Sequence, residues 1–334
     1  MTGQIDKDLL NINAYPESTT KVELLQTHIS FVFLTDNFVY KVKKPVNFGF
    51  LDFSTLKKRL HYCNCEVELN RRLSPETYLG VVSVTDEGDR LKLSGDGKVV
   101  DYAVKMKRIP MDKLMIKLLR DGKITEEMVE QVGEKIAKFH AIAGTSDEID
   151  KFGEIKAIKF NTDENFDGTG RYIGVTITEE QFEMIKDYTN SFYDDNGELF
   201  KQRIKAKKIR DCHGDLHMEH ICFSDPITVF DCIEFNDRFR YCDTAADIAF
   251  LAMDLDFHRA PEFSKVLIDS YVGHSNDEGA RDLLQFYKVY RAYVRGKVIS
   301  FRLTDEHISQ EEKDSAIEAA RRYFDLAESY VLLK

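Results

Sequence analysis

The feature that most restricts the fold of this chain is an abrupt change of pattern at Pro110. Before Pro110, short extended runs alternate with turn residues, and only one helical pattern interrupts them. After Pro110, apolar residues recur at helical spacing. We therefore predict an α+β chain in which a small antiparallel sheet with one helix, residues 1–110, precedes a larger, mainly helical region, residues 111–334.

The first region predicts the element order β-β-β-α-β-β-β. Residues 22–34 and 38–46 read as strands joined by turn residues, which indicates a hairpin. A charged helix is expected from Thr55 to Leu73, with Ser54 as its N-cap. Three short strands are then expected at residues 78–84, 90–93 and 99–106.

The second region is predicted to be helical over most of its length. A stripe of apolar residues indicates one long helix with a buried face, formed by Val129, Val132, Ile136, Phe139 and Ala143. Residues 152–197 are polar and only weakly periodic, so we expect an insertion around a helix at 179–193. Short strands are expected within residues 209–231, and helices from Thr244 onward.

Charge and apolar runs exclude several classes of protein. The net charge of −11 over 334 residues argues against general nucleic-acid binding. The longest apolar run is about six residues, far fewer than a membrane helix needs. The first ten residues lack the apolar stretch of a signal peptide, so a cytoplasmic protein with reduced cysteines is expected.

The segment from His213 to Asp231 carries the clearest chemical signal. His213-Gly214-Asp215 is followed by His220, five residues after Asp215, and by Asp231 at the end of the next strand pattern. Phosphoryl transfer uses this kind of arrangement, because one carboxylate must orient the attacking hydroxyl while other groups hold the metal that bridges the phosphates.

This segment resembles the aminoglycoside phosphotransferase-like family of the protein-kinase-like superfamily, which includes choline and fructosamine kinases. The resemblance implies a bilobal kinase-like fold, ATP or GTP and Mg²⁺ as cofactors, and a hydroxyl or amine of a small molecule as the phosphate acceptor. It implies that Asp215 is the catalytic base, that His213 braces its loop and that Asp231 binds the metal. His220 stands where the family usually has Asn and is therefore the second candidate metal residue, although imidazole is a poor Mg²⁺ ligand.

Further family landmarks imply nucleotide-binding residues in the first region. Lys41 resembles the lysine that contacts the nucleotide phosphates, with Lys43 as the alternative. Glu66 resembles its glutamate partner, with Glu68 as the alternative. Lys107 and Ile109 lie where the family has its interlobe hinge, and Ser30 lies at the nucleotide-loop position, which has no glycine here.

The acceptor residues are expected in the helical region. Asp243 and Asp247 lie in a segment that resembles the family's helix supporting the catalytic loop. Glu234 is either a candidate acceptor or second-metal carboxylate or a surface residue. A helix beginning near Leu283 carries a basic stripe at helical spacing, formed by Lys288, Arg291, Arg295 and Arg302. This stripe favours an anionic or polar acceptor, bound by Arg291 and Arg295.

Two alternative functions remain at this stage. A nucleotide-binding pseudokinase or regulatory module would account for the replacement at His220, although both Asp215 and Asp231 are present. A metal-dependent hydrolase would use His213, His217 and His220, but Gly214 and the flanking strand patterns place these histidines on a tight turn, where such a site is not expected. The kinase is the favoured interpretation.

Overall fold

A computed structural model of the chain describes residues 2–305 and 308–333. It divides into two compact units: a sheet unit, residues 2–123 and 219–237, and a helical unit, residues 124–218 and 238–333. The units differ from the expected ranges 1–110 and 111–334, because the sheet unit also includes residues 111–123 and the segment that carries Asp231.

The described residues form ten strands and thirteen helices, numbered here in chain order. The strands are β1 Glu23–Gln26, β2 Ser30–Leu34, β3 Phe38–Lys43, β4 Tyr78–Asp86, β5 Leu91–Leu93, β6 Lys98–Lys107, β7 Ile209–Asp211, β8 Ile221–Cys222, β9 Thr228–Val229 and β10 Tyr241–Asp243. The helices are α1 Thr2–Asp8, α2 Leu56–Arg71, α3 Met115–Arg120, α4 Glu126–Ile142, α5 Asp147–Asp150, α6 Ile155–Thr169, α7 Glu179–Asp195, α8 Gly197–Lys205, α9 Asp237–Arg240, α10 Thr244–Phe257, α11 Pro261–Ser275, α12 Arg281–Phe301 and α13 Gln310–Leu332.

The sheet unit is built on a six-stranded antiparallel sheet of order β1-β2-β3-β6-β4-β5. From β1 to β6 the predicted order of three strands, one helix and three strands is confirmed, whereas the short helix α1 before β1 was not predicted. The helix α2 begins one residue later than expected, because Thr55 and not Ser54 caps it by accepting a hydrogen bond from the Lys58 N–H.

Strand β3 separates two apolar layers of the sheet unit. Tyr40 and Val42 pack on one face with residues of α1, β2 and β5, whereas Val39 packs on the other face with Cys63 and Val67 of α2. Side chains alternate between the faces of a strand, so Lys41 and Lys43 lie on the same face as Val39. This alternation directs both lysines toward α2.

The helical unit confirms the predicted apolar stripe on α4, whose residues Val129, Val132, Ile136 and Phe139 are all buried. Helix α6 was not predicted within residues 152–197. Several of its buried residues are polar, including Thr162 and Asn165, and they obscure the apolar periodicity. The predicted fold class, an antiparallel sheet with one helix followed by a mainly helical part, is confirmed.

The described residues bear on two expectations from the sequence, which concern membrane-spanning helices and the state of the cysteines. Within them, no helix combines the length and apolar character needed to cross a membrane. All six cysteines lie in the described part of the chain, as thiols rather than disulfides.

Candidate functional site

The predicted site residues fall into two groups, one in each unit. The sheet unit carries the predicted nucleotide and metal residues and one acceptor candidate, namely Ser30, Lys41, Glu66, Lys107, Ile109, His220, Asp231 and Glu234. The helical unit carries the predicted base with its bracing residue and the remaining acceptor candidates, namely His213, Asp215, Arg291 and Arg295. The predicted nucleotide and metal residues thus lie in the sheet unit, and the predicted base lies in the helical unit.

Lys41 is held between two carboxylates of the sheet unit. Its Nζ lies 2.6 Å from Oδ1 of Asp231 and 2.9 Å from Oε1 of Glu66. Burial lowers the pKa of Lys41, but the charges of Asp231 and Glu66 outweigh burial and raise the pKa well above its ordinary value. Glu68, the alternative partner, is exposed. The structure therefore brings together the lysine, glutamate and aspartate that the resemblance singled out.

Lys43 belongs to the same cluster as Lys41. Its side chain is fully buried, its Nζ lies 2.6 Å from Oε2 of Glu66, and it forms a second ion pair with Glu234. Burial raises the pKa of Glu234, and the Lys43 charge only partly opposes this effect. Glu234 is 7% exposed and committed to Lys43. The expectation that Glu234 contacts an acceptor or a second metal is therefore corrected: it is a buried structural partner.

The segment that carries Asp231 is fixed by hydrogen bonds to α2 and β4. The Asp231 N–H donates to the Tyr78 hydroxyl at 3.1 Å, and the Cys232 N–H donates to Oδ1 of Asn70 at 2.9 Å. Asp231 has a φ of 63°, which is uncommon for a residue other than glycine. Such strained residues persist only where their surroundings hold them, and they occur frequently at functional sites.

Asp231 offers the donor chemistry that a divalent metal requires. Mg²⁺ is commonly bound by one or two carboxylates together with water and substrate phosphates, and the Asp231 side chain is 41% exposed. His220 Nε2 lies 3.6 Å from the other carboxylate oxygen of Asp231. An imidazole beside the carboxylate suits a hydrogen bond better than a bond to Mg²⁺. The donor set therefore fits a metal at Asp231, with His220 as a neighbour of that carboxylate.

The remaining predicted nucleotide residues differ in their availability. Ser30 is fully buried beside Lys43, its register partner, and its backbone N–H already donates to Oγ1 of Thr27. Its hydroxyl is also sealed from solvent, and its contact with a phosphate stays a prediction. Lys107 is exposed at the end of β6, and Ile109 lines an open depression of about 410 Å³ within the sheet unit.

In the helical unit, the loop that carries Asp215 is supported by one buried carboxylate of α10. Asp247 accepts hydrogen bonds from the His213 and Gly214 N–H groups, both at 2.9 Å, and lies 3.1 Å from Nε2 of His140. Burial raises the pKa of Asp247, but its hydrogen bond to His140 and the surrounding positive charges reverse that effect and lower the pKa strongly. Asp247 therefore stays ionised and holds the backbone of the loop.

Arg291 of α12 also supports this loop. Its Nη1 donates to the Gly214 carbonyl at 3.1 Å, its Nε donates to the Ala246 carbonyl at 3.2 Å, and it is 6% exposed. The expectation that Arg291 binds the acceptor is therefore corrected. The helical spacing correctly placed its side chain on one stripe, but burial and these carbonyl contacts assign it to the loop.

His213, which was expected to brace the loop, is fully buried, and its Nδ1 accepts a hydrogen bond from the Asp215 N–H at 3.3 Å. The Asp215 side chain is 33% exposed and lies 3.5 Å from Nε2 of His217. Burial lowers the pKa of His217, but Asp215 outweighs burial and raises it. Asp215 is thus an accessible carboxylate on a rigid loop.

Sequence reasoning missed several residues that position these groups. Asn70 and Tyr78 hold the Asp231 segment, and Asp254 accepts a hydrogen bond from the Met218 N–H at 2.9 Å, just after the loop that carries Asp215. Asp254 follows Asp247 by two helical turns, a spacing that indicates a shared face and was available in the sequence. Asn70 lies in a strongly charged helix, where nothing in the pattern marks it.

Comparison with known proteins gives distant sequence relatives and a shared fold. No protein-family model matches the chain. Uncharacterized proteins of Mycobacterium bovis and Mycobacterium tuberculosis are 31% identical over 301 residues, which is 90% of this chain and 58% of their length. The chain therefore spans less than two thirds of these curated relatives.

Solved small-molecule kinases resemble the structure. An amicoumacin kinase in complex with AMP-PNP, Ca²⁺ and Ami matches with a TM-score of 0.51 and 12% identity, covering 91% of this chain and 88% of that one. A choline/ethanolamine kinase family protein from Mesorhizobium loti has a TM-score of 0.49 and 13% identity, with coverage of 95% and 94%. The chain has the protein-kinase-like fold that its sequence resemblance implies.

Proposed function

We propose that this protein is a phosphotransferase that uses ATP or GTP with Mg²⁺ to phosphorylate a hydroxyl or amine of a small molecule. The observation that carries the proposal is the position of Lys41, whose ammonium contacts both Glu66 and Asp231. This geometry keeps a positive charge beside an accessible carboxylate, as a site for nucleotide phosphates and a metal requires. The kinase-like fold and the neighbour that binds AMP-PNP and Ca²⁺ support the same conclusion.

The residues of the sheet unit would bind and orient the nucleotide. Asp231 would hold Mg²⁺, which would supply positive charge to neutralise the phosphate oxygens. Lys41 adds a second positive charge, and Glu66 keeps its ammonium in place. The buried pair of Lys43 with Glu234 holds the Asp231 segment against β3. These groups position charge and do not themselves form bonds to the phosphoryl group.

Asp215 of the helical unit would act on the acceptor. Its carboxylate accepts the proton of the attacking hydroxyl, and the loop backbone fixes its orientation through Asp247 and Arg291. A base on a loop held by four hydrogen bonds loses little entropy when it aligns the acceptor, which favours transfer.

Two substitutions test the proposal. Replacing Asp215 with Asn should preserve nucleotide affinity and lower phosphoryl transfer by about 10²-fold or more, because the amide cannot accept the proton. Replacing Asp231 with Ala should abolish the Mg²⁺ dependence of nucleotide binding. Binding is measured by calorimetry with AMP-PNP, and transfer by incubating the full chain with labelled ATP and a fractionated metabolite extract. Undiminished transfer by Asp215→Asn would contradict the assignment.

A nucleotide-binding module without transfer is the second candidate, and the observation that favours it is His220 beside Asp231. Under the kinase proposal, His220→Asn preserves or increases Mg²⁺-dependent transfer, since an amide oxygen is the better Mg²⁺ ligand. Nucleotide binding without transfer in both the native chain and His220→Asn would instead favour the binding module.

A further inference from the structure

Arg295 lies one helical turn beyond Arg291 on α12, and it differs from the other charged residues near the catalytic loop. Residues four apart lie on the same face of a helix, so Arg295 continues the line that begins with the contact between Arg291 and Gly214. The charges of Asp215 and Asp254 both act on the Arg295 guanidinium. Arg295 therefore belongs to the electrostatic surroundings of the proposed base.

The other charged side chains of this region have protein partners. Asp247 accepts hydrogen bonds from two backbone N–H groups, Asp254 accepts one from Met218, and Arg291 donates to two carbonyls. His217 lies 3.5 Å from Asp215. Each of these groups is thereby committed to maintaining the loop.

Arg295 is less completely satisfied. Its guanidinium lies 5.6 Å from the centre of the Tyr323 ring and hydrogen-bonds the Tyr323 side chain, but its Nε is sealed from solvent without a hydrogen-bond partner. An unmet donor on a buried cation is costly, so its presence calls for a functional explanation. The side chain as a whole is only partly buried, and Asp215 is 33% exposed, so both retain accessible surface.

The chemistry of this cation restricts the acceptor. A guanidinium presents donors in a rigid fork that matches a carboxylate or a phosphate. A cationic acceptor would be repelled by Arg295, and a neutral acceptor would gain less from its guanidinium than an anion gains. We propose that Arg295 is a specificity-determining residue that binds an anionic group, a carboxylate or a phosphate, of the molecule whose hydroxyl Asp215 activates. This inference rests on the proposed kinase function.

The test uses sets of compounds that differ in charge but share a carbon skeleton. One set is glycerol, glycerate, glycerol 3-phosphate and 2-amino-1,3-propanediol, and the other is glucose, gluconate, glucose 6-phosphate and glucosamine. For the full chain with Mg²⁺, calorimetry in the presence of AMP-PNP measures binding, and ADP release from ATP measures transfer. Anionic members should bind and stimulate ADP release more than the neutral and cationic members of the same set, and the carboxylate and phosphate arms identify the preferred anion.

Substitution of Arg295 separates recognition from support of the base. Arg295→Gln should raise the KM for the preferred anionic acceptor about 10-fold to 100-fold, as expected for the loss of a hydrogen bond between charged groups. Arg295→Lys should have an intermediate KM, since it keeps the charge and loses the fork. Arg321→Gln, an exposed arginine of α13, is the matched control and should change neither KM nor kcat.

Several outcomes would overturn the inference. A preference for neutral or cationic members would do so, as would the absence of anion binding that depends on Arg295. A fall in kcat at unchanged KM in Arg295→Gln would make Arg295 a counter-ion of Asp215 instead. Different results would contradict the proposed kinase function itself. These are a native chain that does not bind AMP-PNP, or phosphoryl transfer that is absent or is not reduced by Asp215→Asn.

Discussion

The buried pair of Lys43 with Glu234 allows a quantitative prediction about the sheet unit. Lys43→Met keeps much of the side-chain volume and removes the ammonium, so Glu234 stays buried without its partner. A buried carboxylate in that position is stable only when it takes up a proton. We therefore expect a loss of stability that depends on pH.

The size of the loss follows from the cost of protonation. An ordinary Glu has a pKa of 4.5, and burial raises the pKa of Glu234. Removal of the Lys43 charge raises this pKa further, so above the native pKa of Glu234 the folded variant binds more protons than the folded native chain. The loss of stability relative to the native chain therefore grows as the pH rises, until the pKa of the variant is passed. The loss grows by at most about 1.4 kcal/mol per pH unit, so it should be larger at about pH 7 than at about pH 5.5.

Urea unfolding of the full chain, followed by circular dichroism, measures the total loss, and amide hydrogen exchange of the α2 and β3 peptides assigns it to the sheet unit. The double variant Lys43→Met with Glu234→Gln removes both charges and should recover most of the stability. The control Lys21→Met removes an exposed pair with Glu23 and should cost less than about 1 kcal/mol. Equal losses for Lys43→Met at the two pH values would refute the reasoning.

Two further predictions concern the helical unit. Asp247→Asn should lower the free energy of unfolding by about 1–3 kcal/mol and slow phosphoryl transfer without changing nucleotide affinity, because the amide cannot accept all the hydrogen bonds of the loop. Thermal unfolding and steady-state kinetics measure these effects, and unchanged kinetics would contradict the prediction. Gly296→Ala should lower the free energy of unfolding by about 1–3 kcal/mol, because the added Cβ would lie 2.8 Å from the Phe324 ring. The control is Gly273→Ala on α11, where an added Cβ meets no atom within 4 Å.

Local sequence predicted those features that depend on neighbouring residues. The succession of strands and helix along the sheet unit and the buried face of α4 follow from periodicities of two and 3.6 residues, which are visible within a short window, whereas the crossed order of the strands in the sheet does not. The segment from His213 to Asp231 indicated phosphoryl transfer, because its chemical groups are close together in the chain. The fold class was predicted on this basis, and helix α6 was missed because its buried polar residues obscure the period.

Tertiary structure decided which of the candidate residues share a site and which serve only as supports. Lys43 and Glu234 are 191 positions apart, so no local pattern reveals that burial converts a candidate acceptor carboxylate into an ion-pair partner. Helical spacing placed Arg291 and Arg295 on one stripe, but only packing shows that Arg291 bonds to Gly214, 77 positions away. Sequence determines the residue types and their local periodicity, whereas the role of a charged group depends on its burial and partners, which distant segments supply.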